Sequence, residues 1–369
     1  MVAGKRQFYD VYTKKPQEDA HMPLSYHEQM DILNIKKLRE LQKELPAFAG
    51  DFFRAMEIKK ATNTRRNYAY DLSTFFYFLK TENPYFKNRE IRTLPVSILD
   101  DLQPVDIEEY LSFLTCYEKD GQLYRNHEEG KARKLATLNT FFGYFHKKEM
   151  IQRNAPSVVD VPKIKEKNII RMDANEVAQL IDNIESGEKL TGRQKIWHNR
   201  NKLRDLAIVV TLLGTGVRVT ELVGLDITDL DFDNGAMRVI RKGGNEDLVY
   251  FGEETEEMLR NYLDERLTME PEPGHENALF ISQKNRRITV RSVERLVKKY
   301  ASTATVKKIT PHKLRSTYGT SLYQETGDIY LVADVLGHKN VNTTRKHYAA
   351  MKEENKRKAA NVVQLRETR

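Results

Sequence analysis

The chain has 369 residues, 40% of them hydrophobic and 31% charged, and a net charge of +8; that length allows two domains with real cores, and the basic balance favours a polyanionic partner, nucleic acid first. A single cysteine, Cys116, excludes an intrachain disulfide framework and a cysteine-based zinc finger. No stretch reaches the ~18 consecutive apolar residues of a membrane span, and the opening MVAGKRQFYDVYTKK lacks a signal peptide's apolar run, so the expected setting is cytoplasmic and nucleoid-associated.

Residues 1 to about 22 are polar and aperiodic and read as an arm. From Pro23 to Leu45 apolar residues recur at helical spacing until Pro46 breaks the pattern. A second helix is predicted over AFAGDFFRAMEIKKA, and a third over TNTRRNYAYDLSTFFYFLKTE with Asn63 or Thr64 as its cap. Arg65 and Arg66 fall on the polar face of that third helix, opposite Leu72, Phe75, Phe76 and Leu79. QPVDIEEYLSFLTCY and HEEGKARKLATLNTFFGYFHKKEMI complete a helical set, the latter with Lys131, Arg133 and Lys134 on roughly one side. The segment Asn154 to Ile170, with two prolines and no helical period, reads as a linker.

Beyond it Asp173 caps a helix, an apolar helix ends at the glycine turn of GTGVR, and MRVIRKGGNEDLVYF reads as a hairpin with ALFIS as a possible third strand. TPHKLRSTYGTSLYQETG has Thr310 as cap, Pro311 in the first turn and Gly327 at the stop. The expected fold is mainly α with a small β-hairpin or sheet: an all-helical N-terminal domain followed by a mixed α+β domain. The expected boundaries are 1–45 for arm and extra helix, 46–153, a linker at 154–170, 171–350, and a terminal segment at 351–369.

Several stretches of the second domain carry chemistry. Arg218 follows the glycine turn, so a buried helix end delivers a permanent cation, with Glu221 three residues on as its orienting partner or as one half of a structural ion pair. Lys242 sits at the hairpin tip. His312 and Arg315 share a face near a helix N-terminus, where backbone N–H groups also attract an anion. Leu336-Gly337-His338 ends a short apolar helix, and Tyr348 lies ten residues further on. The acid-rich LDITDLDFDNG, with Asp226, Asp229, Asp231 and Asp233, fails as an EF-hand because its glycine is displaced and Ile240 stands where the glutamate belongs. Trp197 and His198 read as packing residues, and Tyr318, Tyr323 and Tyr330 as core or rim positions of their helices.

The order Arg218, Lys242, His312-x-x-Arg315, Leu-Gly-His338, Tyr348 resembles the tyrosine recombinase, or phage integrase, family from about residue 170 to the end, in a two-domain, Xer-like layout. The N-terminal helical domain is similar in position and type to that family's core-binding domain. The resemblance implies a site-specific DNA recombinase in which Tyr348 attacks a phosphodiester to give a 3′-phosphotyrosyl link and a free 5′-hydroxyl. It also implies that Arg218 and Arg315 neutralise the growing charge, with Glu221 in support, and that Lys242 protonates the leaving oxygen. His312 then serves as base or phosphate ligand, and His338 donates a hydrogen bond to the phosphate. Neither a metal nor a cofactor is implied. The partners implied are double-stranded DNA with a specific target site and three further copies, a homotetramer on two duplexes that exchanges the segment 351–369. Arg65, Arg66, Lys131, Arg133, Lys134, Arg287 and Arg291 are the DNA-contact candidates. A type IB topoisomerase and a non-catalytic DNA-binding relative are the alternatives.

Overall fold

The computed structural model describes residues 24–87, 89–164, 170–338 and 341; the arm before residue 24, Tyr348 and the terminal segment 351–369 lie outside the described residues. The chain divides into two compact units, one spanning Leu24–Lys167 and the other beginning at Asn168.

In the first unit, α1 (Tyr26–Gln42) opens on a reciprocal cap: Ser25 Oγ accepts from the Glu28 N–H at 3.3 Å and Glu28 Oε2 accepts from the Ser25 N–H at 2.8 Å. The sequence pattern grouped this helix with the arm. In the structure it packs on α3 (Thr62–Thr81) and places Leu38, Leu41 and Leu45 in the same core as the other helices, because its apolar stripe needs a partner. α3 starts earlier than expected, with Ala61 rather than Asn63 or Thr64 at the N-cap position and no side-chain cap bond. The Asn63 side chain accepts from Arg66 Nη2 at 2.6 Å instead. α2 (Ala49–Glu57), α4 (Ile98–Asp101), α5 (Pro104–Phe113) and α6 (Glu128–Lys147) complete the helices.

Their core is largely aromatic. Phe52, Phe75, Phe76, Phe141, Phe142 and Phe145 are all at most 1% exposed and meet mostly edge to face, as in the pair Phe52–Phe141 at 5.1 Å and 80°. Burying each such ring contributes about 1.5–3 kcal/mol. The proposed linker starts later than its composition indicates, since Ala155 and Val159 belong to this core. A two-stranded hairpin, β1 (Tyr117–Lys119) with β2 (Gln122–Tyr124), was not anticipated. Its turn is Asp120-Gly121 with φ of 53° and 71°, the primed turn that suits a two-residue loop.

Beneath the polar face of α6 lies a buried carboxylate. Asp71, 1% exposed, accepts from Lys134 Nζ at 3.0 Å, from Thr137 Oγ1 at 2.9 Å and from Arg133. Lys134 is itself only 7% exposed, so removing the acid strands a buried ammonium. Asp71→Ala is therefore expected to cost about 3–5 kcal/mol, read as a lowered urea midpoint for the first unit. Loss below 1 kcal/mol would mean that Lys134 swings out to water.

The second unit is built around α8 (Gly192–Thr215), against which α7 (Ala174–Ser186), α10 (Glu253–Arg266) and α12 (Pro311–Thr326) pack. Ala207, Ile208, Val209 and Leu212 of α8 are fully or almost fully buried. Asp173 caps α7 as expected, its side chain accepting from the Glu176 N–H at 2.9 Å. α9 (Val219–Gly224), α11 (Val290–Ala304) and α13 (Ile329–Val335) are the remaining helices.

The predicted hairpin is present as β4 (Ala236–Ile240) and β5 (Glu246–Tyr250), antiparallel with Met237 opposite Val249 and Ile240 opposite Glu246. The third strand is not ALFIS but β3 (Leu230–Asp231), paired to β4; ALFIS makes only single bridges, Asp226 with Ala278 and Ile281 with Arg287. The acids of LDITDLDFDNG serve locally: Asp229 pairs with Arg238 at 2.7 Å, Asp226 with Arg287, and Asp231 accepts from the Asp233 and Asn234 N–H groups.

His198 packs as expected, 2% exposed, its Nδ1 at 3.0 Å from the Tyr300 hydroxyl, which donates to Asp205 at 2.9 Å. Burial lowers the pKa of that imidazole, and burial with the Asp205 charge raises that of the Tyr300 phenol. Trp197 does not pack; on the outer face of α8 it is 46% exposed, with the Arg200 guanidinium 5.8 Å from its ring. Among the described residues no helix is long and apolar enough to cross a membrane.

Candidate active site

α8 ends at Gly216, which takes φ of 63° and donates its N–H to the Leu212 carbonyl. Glycine is required twice over here: the conformation is left-handed, and a Cβ would collide with the Tyr318 ring and sit 2.9 Å from Leu336 Cδ2. The chain then turns so that Arg218 becomes the N-cap residue of α9. Its backbone N–H donates to Glu221 Oε2 at 2.8 Å, its Nη1 pairs with Glu221 Oε1 at 2.7 Å and its Nη2 donates to the Gly337 carbonyl at 3.0 Å. Glu221 is 4% exposed, so this is a desolvated ion pair rather than a surface one.

Arg315, on α12, is also 4% exposed and donates to the carbonyls of Gly216 and Leu336. Those carbonyls close α8 and α13, where the helix dipoles leave partial negative charge that favours a cation. Arg218 and Arg315 thus grip adjacent carbonyls of one turn, Leu336 and Gly337, and Arg315 also grips the glycine two residues before Arg218. Gly337 takes φ of 57° and stops α13, after which the His338 N–H bonds the Ala333 carbonyl at 2.8 Å. His312 stands exposed in the first turn of α12, behind Pro311. Lys242 is exposed at the tip of the β4–β5 hairpin, where Gly243 and Gly244 take φ of 109° and 87°.

Tyr318 and Tyr323 pack, as their helical spacing implies. Tyr323 is 9% exposed, and Tyr318 is half-buried against Gly216, where burial pushes its phenol pKa up. Tyr330 is 71% exposed and so lies outside the core.

The cations proposed as DNA contacts divide in two. Arg66, Lys131, Arg133 and Arg291 are partly or well exposed. Arg65, Lys134 and Arg287 require correction. Arg65 is 8% exposed and pairs with Glu57 at 3.1 Å, Lys134 is tied to Asp71, and Arg287 donates to the carbonyls of Val223 and Leu225 at 3.1 and 2.8 Å as well as to Asp226. Each of the three holds its own unit together.

Sequence reasoning passed over Arg241. Its Nη1 donates to Glu221 Oε2 at 3.1 Å, its Nε to Asp247 Oδ2 at 2.8 Å and its Nη2 to the Val335 carbonyl at 3.2 Å, with its side chain 11% exposed. The clue in the sequence is an arginine just past a strand end, one residue before Lys242, with an acid, Asp247, on the partner strand.

Two arginines fixed on one turn make an arrangement able to hold a phosphodiester and stabilise added charge on its oxygens. The phage integrase family model matches residues 170–355. The chain is 31% identical over 314 residues to tyrosine recombinase XerC of Syntrophus aciditrophicus, covering 81% of this chain and 91% of that one. It is 29% identical over 338 residues to tyrosine recombinase XerS of Streptococcus agalactiae, covering 85% and 94%. Among solved structures, the XerH site-specific recombinase bound to a palindromic difH substrate shares the fold with a TM-score of 0.60 at 20% identity, over 94% of this chain and 99% of that one. A lambda integrase dimer bound to a COC′ core site shares it with a TM-score of 0.56 at 18% identity, over 81% and 93%. The chain belongs to the phage integrase family of tyrosine recombinases. It is an enzyme of DNA strand cleavage and rejoining that acts in site-specific recombination.

Proposed function

We propose that the chain is a two-domain, Xer-like recombinase that recognises a specific duplex site, assembles as a homotetramer on two such duplexes and uses Tyr348 as nucleophile. The observation that carries this reading is the convergence of Arg218 and Arg315 on the Leu336–Gly337 turn, from which the chain runs through His338 to Tyr348. The phenol oxygen forms a bond to phosphorus while the bond to the 5′-oxygen breaks. Lys242 supplies the proton that oxygen needs, His312 takes the phenol proton, and His338 donates to the phosphate. The two guanidiniums balance the charge of the five-coordinate state, with Glu221 holding the first of them.

The unit from Leu24 to Lys167 is the core-binding part, gripping the duplex largely through phosphates, so affinity falls steeply with salt. Arg66, Lys131 and Arg133 are its contact candidates, and Arg291 is that of the second unit. The segment 351–369 is exchanged between neighbouring copies, and the working compartment is the cytoplasm, at the nucleoid. Integration, excision, inversion and dimer resolution all use this chemistry.

A plasmid carrying two copies of a site selected from random duplexes separates this reading from a topoisomerase. Exchange between the sites without ATP is expected; relaxation with no exchanged product would leave the topoisomerase reading in place.

A further inference from the structure

The active-site arginines do not stand alone. Asp247, Arg241, Glu221 and Arg218 form one chain of alternating charges, with contacts of 2.8, 3.1 and 2.7 Å. Arg241 is its link between elements: Asp247 belongs to β5, Glu221 to α9, and the third acceptor, the Val335 carbonyl, ends α13. The Arg241 backbone also closes the hairpin, its N–H donating to the Asn245 carbonyl at 2.8 Å and its carbonyl accepting from the Gly244 N–H at 3.0 Å. Lys242 is the next residue, inside that turn.

We infer that Arg241 is a positioning residue, which locks the lysine-bearing hairpin onto the Arg218–Glu221 pair and onto the turn before His338, so that Lys242 and Arg218 address the same phosphodiester. The inference rests on the reading of Lys242 as the proton donor.

Three physical points support it. A hairpin tip with two glycines at positive φ has little stiffness of its own, and its orientation must come from elsewhere. Arginine suits the task because its planar fork meets three acceptors on three elements, whereas a lysine offers one point charge. The turn has also made room: a Cβ on Gly337 would lie 3.0 Å from Arg241 Nε and 3.1 Å from Cζ, so the guanidinium rests on the glycine. Gly337 therefore serves both the left-handed stop of α13 and the seat of Arg241.

If Arg241 works through Lys242, the two substitutions are not independent. Cleavage is measured as covalent adduct on a nicked duplex carrying the selected site. Lys242→Ala is expected to slow it on the order of 100-fold or more, and Arg241→Ala by a substantial part of that. The double variant should cleave no more slowly than Lys242→Ala. Losses that multiply in the double variant would overturn the inference.

Arg241→Lys keeps the charge but not the fork and should stay near Arg241→Ala. Full activity in Arg241→Lys would also overturn the inference. Should Arg241→Ala fail to fold, Asp247→Asn, at a side chain 46% exposed, releases one bond of the three and should show the same non-additivity on a smaller scale.

A duplex whose leaving 5′-oxygen is replaced by sulfur tests the underlying reading separately, since a thiolate departs without a proton. Lys242→Ala should regain most of its rate there. If it does not, the proton-donor role fails, while the double-variant comparison still decides whether Arg241 acts through Lys242. Retained binding to the intact duplex in every variant excludes general disruption.

Discussion

Tyr348→Phe is expected to bind its duplex as the unaltered protein does and never to become attached to it. The substitution removes one oxygen and leaves the ring, so on the proposed mechanism the attacking group is lost while the phosphate contacts of the rest of the chain persist. Nothing else at the site replaces it: arginine cannot attack phosphorus, and lysine and histidine would form a phosphoramidate of different stability. The covalent adduct on a nicked duplex, resistant to denaturant, should fall below detection at all times, a larger effect than losing any single charge stabiliser, which costs 10²–10³-fold or so. An electrophoretic shift on the intact duplex should remain within about twofold, because affinity rests mostly on phosphate contacts elsewhere. An adduct that survives in Tyr348→Phe would transfer the role to another tyrosine. Tyr330, 71% exposed on α13, is then the first to test, ahead of the half-buried Tyr318.

How much of this was legible in the sequence depended on whether the signal was local. Helix ends were readable where a cap or a left-handed glycine marks them: Asp173, Pro311, Gly216, Gly327 and Gly337 all stand where the pattern put them. The same stops place Arg218, Arg315 and His338, each defined by its offset from a helix end. Asp120-Gly121 was a turn signal of the same kind, hidden because the strands on either side are only three residues long.

What escaped were pairings between distant segments. Periodicity put Arg65 and Lys134 on polar faces, but it carries no information about Glu57 or the buried Asp71 waiting opposite them. Arg241 escaped for the same reason, since its partners lie at residues 221, 247 and 335 and meet only in the folded unit. Trp197 escaped too: with Arg200 it lies on the outer face of α8, and nothing local in the sequence tells that face from the buried one.

Replacing Arg315 should be damaging, though less so than replacing Tyr348, for two reasons that separate experimentally. The first is chemical. A guanidinium already fixed by the Gly216 and Leu336 carbonyls does not have to be ordered when charge develops on the phosphate, so its loss removes preorganised stabilisation. About 3–4 kcal/mol is typical for one such donor, which corresponds to a cleavage rate lower by a factor of a few hundred. The second is structural. Arg315→Ala leaves two buried carbonyls at the ends of α8 and α13 without their donor, at about 1–3 kcal/mol in stability, or roughly 2–4 °C in Tm per kcal/mol for a unit of this size.

Arg315→Lys divides the two effects. A lysine retains the cation at the helix C-termini and can satisfy one carbonyl, so most of the stability should return. It cannot present two parallel N–H groups to a phosphate, so cleavage should stay at least tenfold down or so. Melting and single-turnover adduct formation on the same preparations would show Tm recovering while the rate does not. If both recover together, Arg315 serves the fold alone, and the charge of the transition state must be met by Arg218 and its neighbours.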